Sequence, residues 1–131
     1  ANLAEMREAA SYAQDMGCLL IASHHNFKKT PPSDQLQDII SRAVDSGAEI
    51  AKLALYHESV ADIFRCAELM QNNSSIAISL MGMGPLAPSS RLLYAQLGSV
   101  LNYGYLGSKP TAPGQWHVAQ LNQALQNSPQ F

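Results

Sequence analysis

The fold is decided by residues 49–55, which read EIAKLAL. The stretch is apolar apart from Glu49 and Lys52, and its length suits a strand that is covered on both faces. It follows a helical pattern at 34–46, for which Ser33 is the expected N-cap and Gly47 the terminating glycine. A buried strand directly after a helix indicates a parallel α/β sheet.

The same alternation continues on both sides of this stretch. Further helices are predicted at 1–17, 59–71, 89–97 and 116–126, and further strands at 18–23, 76–81 and 100–105. Strands that alternate with helices imply right-handed crossovers and a parallel sheet. Residues 1–131 are therefore predicted to form a single segment, without a linker or a clear internal repeat.

Two architectures fit this alternation. One is a small doubly wound sheet, and the other is half of a (β/α)8 barrel, which needs about 250 residues in full. Neither GxGxxG nor GxxxxGKS/T follows the first predicted strand, which disfavours a nucleotide-binding doubly wound fold.

Composition and charge exclude several classes of protein. Apolar residues make up 47% and charged residues 14% of the chain, which fits a well-buried α/β protein and not a disordered one. With a formal net charge of -2, we expect neither a nucleic-acid nor a membrane partner. No apolar stretch reaches the roughly 18 residues of a spanning helix, and no signal peptide is seen.

The two cysteines indicate a reducing compartment. Cys18 lies beside an apolar run and Cys66 within a helical pattern, so both are expected to be buried hydrophobic residues. No spacing of cysteine and histidine indicates a metal site. We therefore expect a cytoplasmic protein.

Lys52 is the residue that carries the most chemical information. It lies within an otherwise apolar strand, and a lysine is rarely buried unless it is paired. Desolvation disfavours an ammonium group, so a buried lysine can act as an amine nucleophile. The alternative is a lysine at a strand end that reaches solvent. The residue by itself favours neither.

His25 is the first candidate for proton transfer. It directly follows the first predicted strand, at the end where the active sites of barrels lie. Imidazole both takes and gives a proton near neutral pH. Because side chains alternate along a strand, His24 should point to the opposite face. The alternative is a histidine in a surface loop.

Two later segments could bind a ligand. Arg91 is predicted to open the helix after the third strand, where a cation is electrostatically unfavourable, and its guanidinium suits a carboxylate. An exposed helical arginine is the alternative. The segment from Thr111 to Gln115 reads TAPGQ, and its hydroxyl and amide could bind a hydroxylated ligand, although many loops have this composition.

Together these pieces resemble type I 3-dehydroquinate dehydratases. The base, amine, guanidinium and polar loop occur in order, each in or after one of four successive predicted strands. The segments that carry the resemblance are 23–31 (SHHNFKKTP), 47–54 (GAEIAKLA), 90–92 (SRL) with 98–99 (GS), and 111–115 (TAPGQ). The resemblance covers nearly the whole chain. It implies the C-terminal half of a (β/α)8 barrel, with about the last four βα units and parallel strands.

The resemblance also implies a mechanism. Lys52 would form an imine with the C3 ketone of 3-dehydroquinate, and His25 would remove the C2 proton and then protonate the departing C1 hydroxyl. Arg91 would hold the substrate carboxylate, and Thr111 and Gln115 would contact its hydroxyls. The product would be 3-dehydroshikimate, in the shikimate pathway of aromatic amino acid biosynthesis, with neither metal nor organic cofactor.

The sequence also departs from the family pattern. Asn26 stands where the family usually has Asp, and Thr111 stands where serine is common. The first four βα units, which supply an acid near the histidine, are absent, so we expect a homodimer or association with the missing N-terminal half. This chain alone should have little activity. Two alternatives remain: another Schiff-base barrel enzyme such as a class I aldolase, and a non-catalytic half-barrel module.

Overall fold

Three parallel strands form the sheet at the centre of the structure, a computed structural model that describes residues 2–128. In chain order the elements are α1 (Leu3–Asp15), β1 (Ile21–Asn26), α2 (Ser33–Asp45), β2 (Ile50–Tyr56), α3 (Val60–Asn72), β3 (Ala77–Met83), α4 (Ala87–Gln96) and α5 (Val118–Asn127). The strands lie in the order β1-β2-β3, which confirms the predicted α/β class with parallel strands. Ala1, where the first predicted helix begins, lies outside the described residues.

One face of the sheet packs against helices in the main hydrophobic core, and the other face carries a separate set of side chains. On one face, Leu53 and Leu55 of β2 pack with Ile78 and Leu80 of β3 in the main hydrophobic core. The helical residues of this core are Leu36, Ile40, Ala43, Ile63, Cys66, Leu69 and Tyr94. The alternate strand residues form what we call the inner face: Ile21, Ser23 and His25 of β1, Ile50, Lys52, Ala54 and Tyr56 of β2, and Ala77, Ser79, Met81 and Met83 of β3.

Capping residues satisfy free backbone groups at some helix ends and not at others. Ser59 caps α3 and forms a capping box with Asp62, and Gly47 follows α2 with a positive φ of 81°. The predicted N-cap of α2 is wrong, because Ser33 is the first helical residue and Pro32 stands at the cap without a side-chain hydrogen bond. The fixed φ of proline already suits the residues that lead into a helix. No helix among residues 2–128 is long and apolar enough to cross a membrane.

β1 lies three residues later than predicted. Its pairing with β2 begins at Ile21 and extends to Asn26, so His25 lies inside the strand and does not follow it. The apolar residues before Ile21 stay outside the ladder because the N–H of Leu20 donates to the Glu49 carboxylate, 2.7 Å away. Cys18 is exposed, contrary to the prediction, whereas Cys66 is buried as predicted.

The fourth predicted strand is not formed in the described chain. Residues 100–105 run beside β3, where one backbone bond, from the Val100 N–H to the Ile78 carbonyl at 3.0 Å, is followed by bonds made through side chains. The Ser99 hydroxyl accepts the Leu80 N–H at 3.0 Å, and the Ser79 hydroxyl donates to the Leu101 carbonyl at 2.8 Å. The Leu80 N–H and the Leu101 carbonyl are already bonded to serine hydroxyls. The segment therefore keeps its place without becoming a strand.

Candidate active site

Lys52 and His25 lie on the inner face of neighbouring strands. Lys52 pairs in register with Ser23 of β1, and His25 pairs with Ala54 of β2, so His25 lies one pleat nearer the carboxyl edge. With strands about 4.8 Å apart and two residues spanning about 6.6 Å, their Cα atoms are about 8 Å apart. An amine and an imidazole are therefore within reach of one small ligand.

His24 lies on the opposite side of β1. It lines a cavity of about 340 Å³ with Met6 of α1 and with Ile39 and Arg42 of α2. Its Nε2 is buried and has no hydrogen-bond partner within residues 2–128. Burial, followed by the charges of His25 and Arg42, lowers the pKa of His24. The two adjacent histidines thus face different surroundings, and only His25 shares a face with Lys52.

The loop after β1 is held by the side chain of Asn26. Its Oδ1 accepts the backbone N–H groups of Lys28 and Lys29, at 3.0 and 3.1 Å. The ring of Phe27 stacks on His25 with 6.1 Å between ring centroids and an angle of 8° between planes. The stack and the turn together fix the surroundings of the His25 ring.

Lys52 is half-buried and lies over an aromatic ring. Its Nζ is 4.9 Å from the centroid of the Tyr103 ring, which is the geometry of a cation–π contact. Within residues 2–128 the only salt bridge joins Arg65 and Asp62, so Lys52 has no carboxylate partner there. The aromatic ring is therefore the electrostatic partner of this amine in the described chain.

Arg91 differs from its prediction in both position and exposure. It is the fifth residue of α4, because Pro88 is accepted in the first turn and the helix begins at Ala87. It is only 7% exposed. The prediction that Arg91 opens the helix and the alternative of an exposed helical arginine are therefore both wrong. Its Nε donates to the Gly82 carbonyl at 2.9 Å and its Nη1 to the Tyr103 carbonyl at 3.4 Å. Burial lowers its pKa, but a guanidinium stays charged.

The TAPGQ segment forms a closed turn against α4. The Thr111 hydroxyl and backbone N–H both donate to Oε1 of Gln115, at 2.7 and 3.1 Å. Gly114 has a φ of 75°, and a Cβ there would overlap Ala87. The indole N–H of Trp116 donates to the Pro88 carbonyl at 2.8 Å. The structure thus brings this loop to the start of the helix that carries Arg91, while Lys52 and His25 lie on the sheet.

His57 is a buried histidine that was not predicted from the sequence. His57 follows β2 directly and is 1% exposed. Its Nδ1 is 2.8 Å from the Thr30 hydroxyl, which itself donates to the Tyr56 carbonyl, so Nδ1–H must be the donor. Its Nε2 then accepts from the Tyr94 hydroxyl at 2.8 Å. Burial lowers the pKa of His57 to about 4, so the ring is neutral at physiological pH.

The signal for His57 is its position immediately past the lysine strand, where parallel strands present functional residues. Here the ring joins the β1–α2 loop, the end of β2 and helix α4. Burial also raises the pKa of the Cys66 thiol, which lies beside Tyr94, to about 12, and this makes the cysteine an unreactive core residue. Among residues 2–128, no group of three or more His, Cys, Asp or Glu side chains could hold a metal ion.

Comparison with known proteins identifies the family. A sequence profile described as type I 3-dehydroquinase matches residues 2–130. The chain belongs to this family. A relative from Methanocella arvoryzae, named 3-dehydroquinate dehydratase, is 39% identical over 105 residues, which are 80% of this chain and 47% of that protein.

Solved structures of this family share the fold. The enzyme from Clostridium difficile has a TM-score of 0.85 at 26% identity, over 95% of this chain and 50% of that chain. The enzyme from Geobacillus kaustophilus has a TM-score of 0.84 at 25% identity, over 93% and 48%. The chain therefore has the fold of about half of a type I 3-dehydroquinase barrel and spans about half the length of the relatives it matches.

Proposed function

We propose that this chain carries the lysine and histidine of a 3-dehydroquinate dehydratase, a hydro-lyase of the shikimate pathway that converts 3-dehydroquinate to 3-dehydroshikimate. The observation that carries this proposal is the shared face of Lys52 and His25 in a chain whose family members are named for that reaction. A cytoplasmic location is part of the same proposal.

The chemistry follows from the two groups. The Lys52 amine adds to the substrate ketone and expels water, which leaves a protonated imine. This cation withdraws electrons from C2, so His25 can remove the C2 proton, and the C1 hydroxyl departs as water with a proton returned by His25. A second water then hydrolyses the imine and frees Lys52. Because the imine is the electron sink, the proposal requires neither metal nor organic cofactor.

Arg91, Thr111 and Gln115 are proposed to bind the substrate. Arg91 commits two N–H groups to backbone carbonyls, and a guanidinium has five, so three can serve a carboxylate. Oε1 of Gln115 accepts from Thr111, which leaves the Gln115 amide NH2 group to donate to a substrate hydroxyl. Both groups belong to α4 or to the loop packed on its first turn.

We propose further that the inner face is completed by another chain. Phe27 is 72% exposed and Ile21 is 39% exposed, and the free edge of β1 is unpaired in residues 2–128. An exposed sheet edge and exposed apolar side chains favour association. A homodimer or a complex with an N-terminal half would supply that cover, and only the second would add the first-half acid. Little turnover is expected from this chain alone.

Borohydride trapping tests the proposed function. The Clostridium difficile relative has been solved with covalently modified comenic acid, which makes a covalent readout a reasonable choice. This chain, combined with the N-terminal half of a relative, is incubated with 3-dehydroquinate and borohydride, and the modified peptide is found by mass. Adduct at Lys52, absent from Lys52→Met and retained in the control Lys29→Met, supports the proposal.

The same experiment separates the alternatives. Adduct with an aldol substrate and none with 3-dehydroquinate would favour a class I aldolase. An assembled, folded complex that forms no adduct with either substrate would favour a non-catalytic module.

A further inference from the structure

Three contacts connect Lys52 to the opposite side of the candidate site. The Lys52 amine lies over the Tyr103 ring, the Tyr103 carbonyl accepts from Arg91, and Arg91 also donates to Gly82 of β3. Gly82 pairs with Leu55 on the strand that carries Lys52. The contacts thus link β2, the segment after α4, α4 and β3 in turn, and the pairing of β3 with β2 returns to the strand that carries Lys52.

Tyr103 is held in place although it lies outside any strand. Its segment is anchored two residues earlier, where the Leu101 carbonyl accepts the Ser79 hydroxyl. The Asn102 amide donates to the Ser99 carbonyl at 2.8 Å. With Arg91 on its own carbonyl, the backbone of Tyr103 is fixed from both sides. The ring therefore has a defined position under the Lys52 amine.

We propose that Tyr103 is a positioning residue that holds the Lys52 nitrogen over its ring and stabilises the cationic imine formed there. This inference rests on the proposed function. The face of an aromatic ring attracts a cation and not a neutral group, so the ring stabilises the protonated imine relative to the neutral intermediate that precedes it. Arg91 contributes indirectly, because it fixes the backbone that carries the ring.

The test compares variants of Tyr103 in the assembled protein, this chain with the N-terminal half of a relative. Tyr103→Phe keeps the ring, whereas Tyr103→Leu and Tyr103→Met remove it at similar bulk. Tyr105→Leu is the matched control, because Tyr105 lies two residues further and its ring packs on His117, 5.1 Å away.

The first readout does not involve dehydratase activity. Lys52 is labelled with formaldehyde and cyanoborohydride at one fixed pH, and its labelling rate is quantified by mass relative to that of the exposed Lys29. Without the ring, the relative rate should rise about two-fold, because the Lys52 nitrogen is no longer held against the face of the ring. Tyr103→Phe and Tyr105→Leu should follow the unmodified protein. An unchanged relative rate in both the Leu and Met variants overturns the proposal.

The second readout is the rate of borohydride trapping with 3-dehydroquinate. It should fall about two- to five-fold in Tyr103→Leu and Tyr103→Met and be restored in Tyr103→Phe. Failure of Phe to restore the rate overturns the positioning role. Absence of any adduct in the unmodified protein, together with the changed labelling rate of the Leu and Met variants, overturns the proposed dehydratase function while it supports the Tyr103–Lys52 contact.

Discussion

The hydroxyl of Tyr94 and Nε2 of His57 meet 2.8 Å apart in the buried layer between α4 and the end of β2, with their rings at 82°. Both residues are almost fully excluded from solvent. Because the Thr30 hydroxyl accepts the Nδ1–H of the same ring, His57 is satisfied at both nitrogens without carrying a charge. One neutral side chain therefore joins a loop, a strand end and a helix.

Tyr94→Phe should reduce the free energy of unfolding by about 1–3 kcal/mol. The change leaves Nε2 of His57 buried without a donor, and an unsatisfied buried acceptor costs about this much. Urea denaturation provides the measurement. Tyr12→Phe is the control, since Tyr12 is 68% exposed and its variant should change the midpoint little. Equal effects of the two substitutions would show that the Tyr94 hydroxyl adds nothing to stability.

The free energy of unfolding should decrease as the pH falls from about 6.5 to 4. The folded-state pKa of His57, about 4, lies below its ordinary value of 6.5, so the unfolded chain takes up a proton first. The contribution of His57 is therefore complete above pH 6.5 and is lost on acidification, by roughly 3 kcal/mol at about 1.4 kcal/mol per pKa unit.

Urea midpoints measured between pH 7.5 and 4.5 test this dependence. His24 also has a lowered pKa, so the comparison is made on a His24→Asn background, with and without His57→Asn. Removal of His57 should flatten the slope between pH 6.5 and 5. A slope that persists unchanged would assign the acid sensitivity to other groups.

His25→Ala should reduce kcat in the assembled protein by more than the roughly 10²–10⁴-fold typical of general acid–base loss, since one group serves several steps. His24→Ala is the natural control, because its ring lies on the helical side of β1 and lines a different cavity. Steady-state rates with 3-dehydroquinate distinguish the two. If His24→Ala were the more damaging substitution, the assignment of the acid–base residue would be off by one position.

Gly82→Ala should destabilise the fold by about 1–3 kcal/mol, the usual cost of overpacking. A Cβ at Gly82 would overlap both Ser90 and His57, neither of which has free space to move into. The comparison is Gly17→Ala, where φ is 67° but nothing lies within 4 Å of a Cβ, so that only backbone strain of about 1 kcal/mol is expected. Thermal unfolding of both variants measures the difference, and a smaller loss at Gly82 would contradict the packing.

The isolated chain should self-associate at micromolar concentration. The exposed side chains of Ile21 and Phe27 and the free edge of β1 are expected to be covered by a second copy when no other half is present. Sedimentation equilibrium measures this directly. A cooperatively folded monomer that binds no hydrophobic dye would show that the exposed face needs no cover.

The sequence predicted the elements that local patterns determine and missed those that depend on neighbours. The apolar run around Lys52 and the helical pattern at 59–71 were sufficient for β2 and α3. The extent of β1 was not predictable, because its pairing carries on through His24 and His25, which composition assigns to a loop. The missing fourth strand depends on the bonds from Ser79 to Leu101 and from Leu80 to Ser99, which join β3 to the chain beyond α4 and form only after folding.

In the candidate site too, features set by local pattern were predicted and features set by distant residues were not. Alternation along β1 correctly separated His24 from His25, because it is a property of the strand itself. The burial of Arg91 was not predicted, since it depends on carbonyls at Gly82 and Tyr103 that lie far apart in the sequence. His57 was missed for a similar reason, because its partners Thr30 and Tyr94 come from two other elements.

At Asn26, beside His25, the charge of the side chain can change while its shape stays nearly the same. Its two hydrogen bonds to Lys28 and Lys29 use only the side-chain oxygen, which an aspartate also possesses. Exchange between the two residues is therefore nearly isosteric: the turn can stay closed while one negative charge appears or disappears. Substitution of Asn26 by aspartate can thus alter the electric field at the carboxyl edge of the sheet without moving the loop that shapes it.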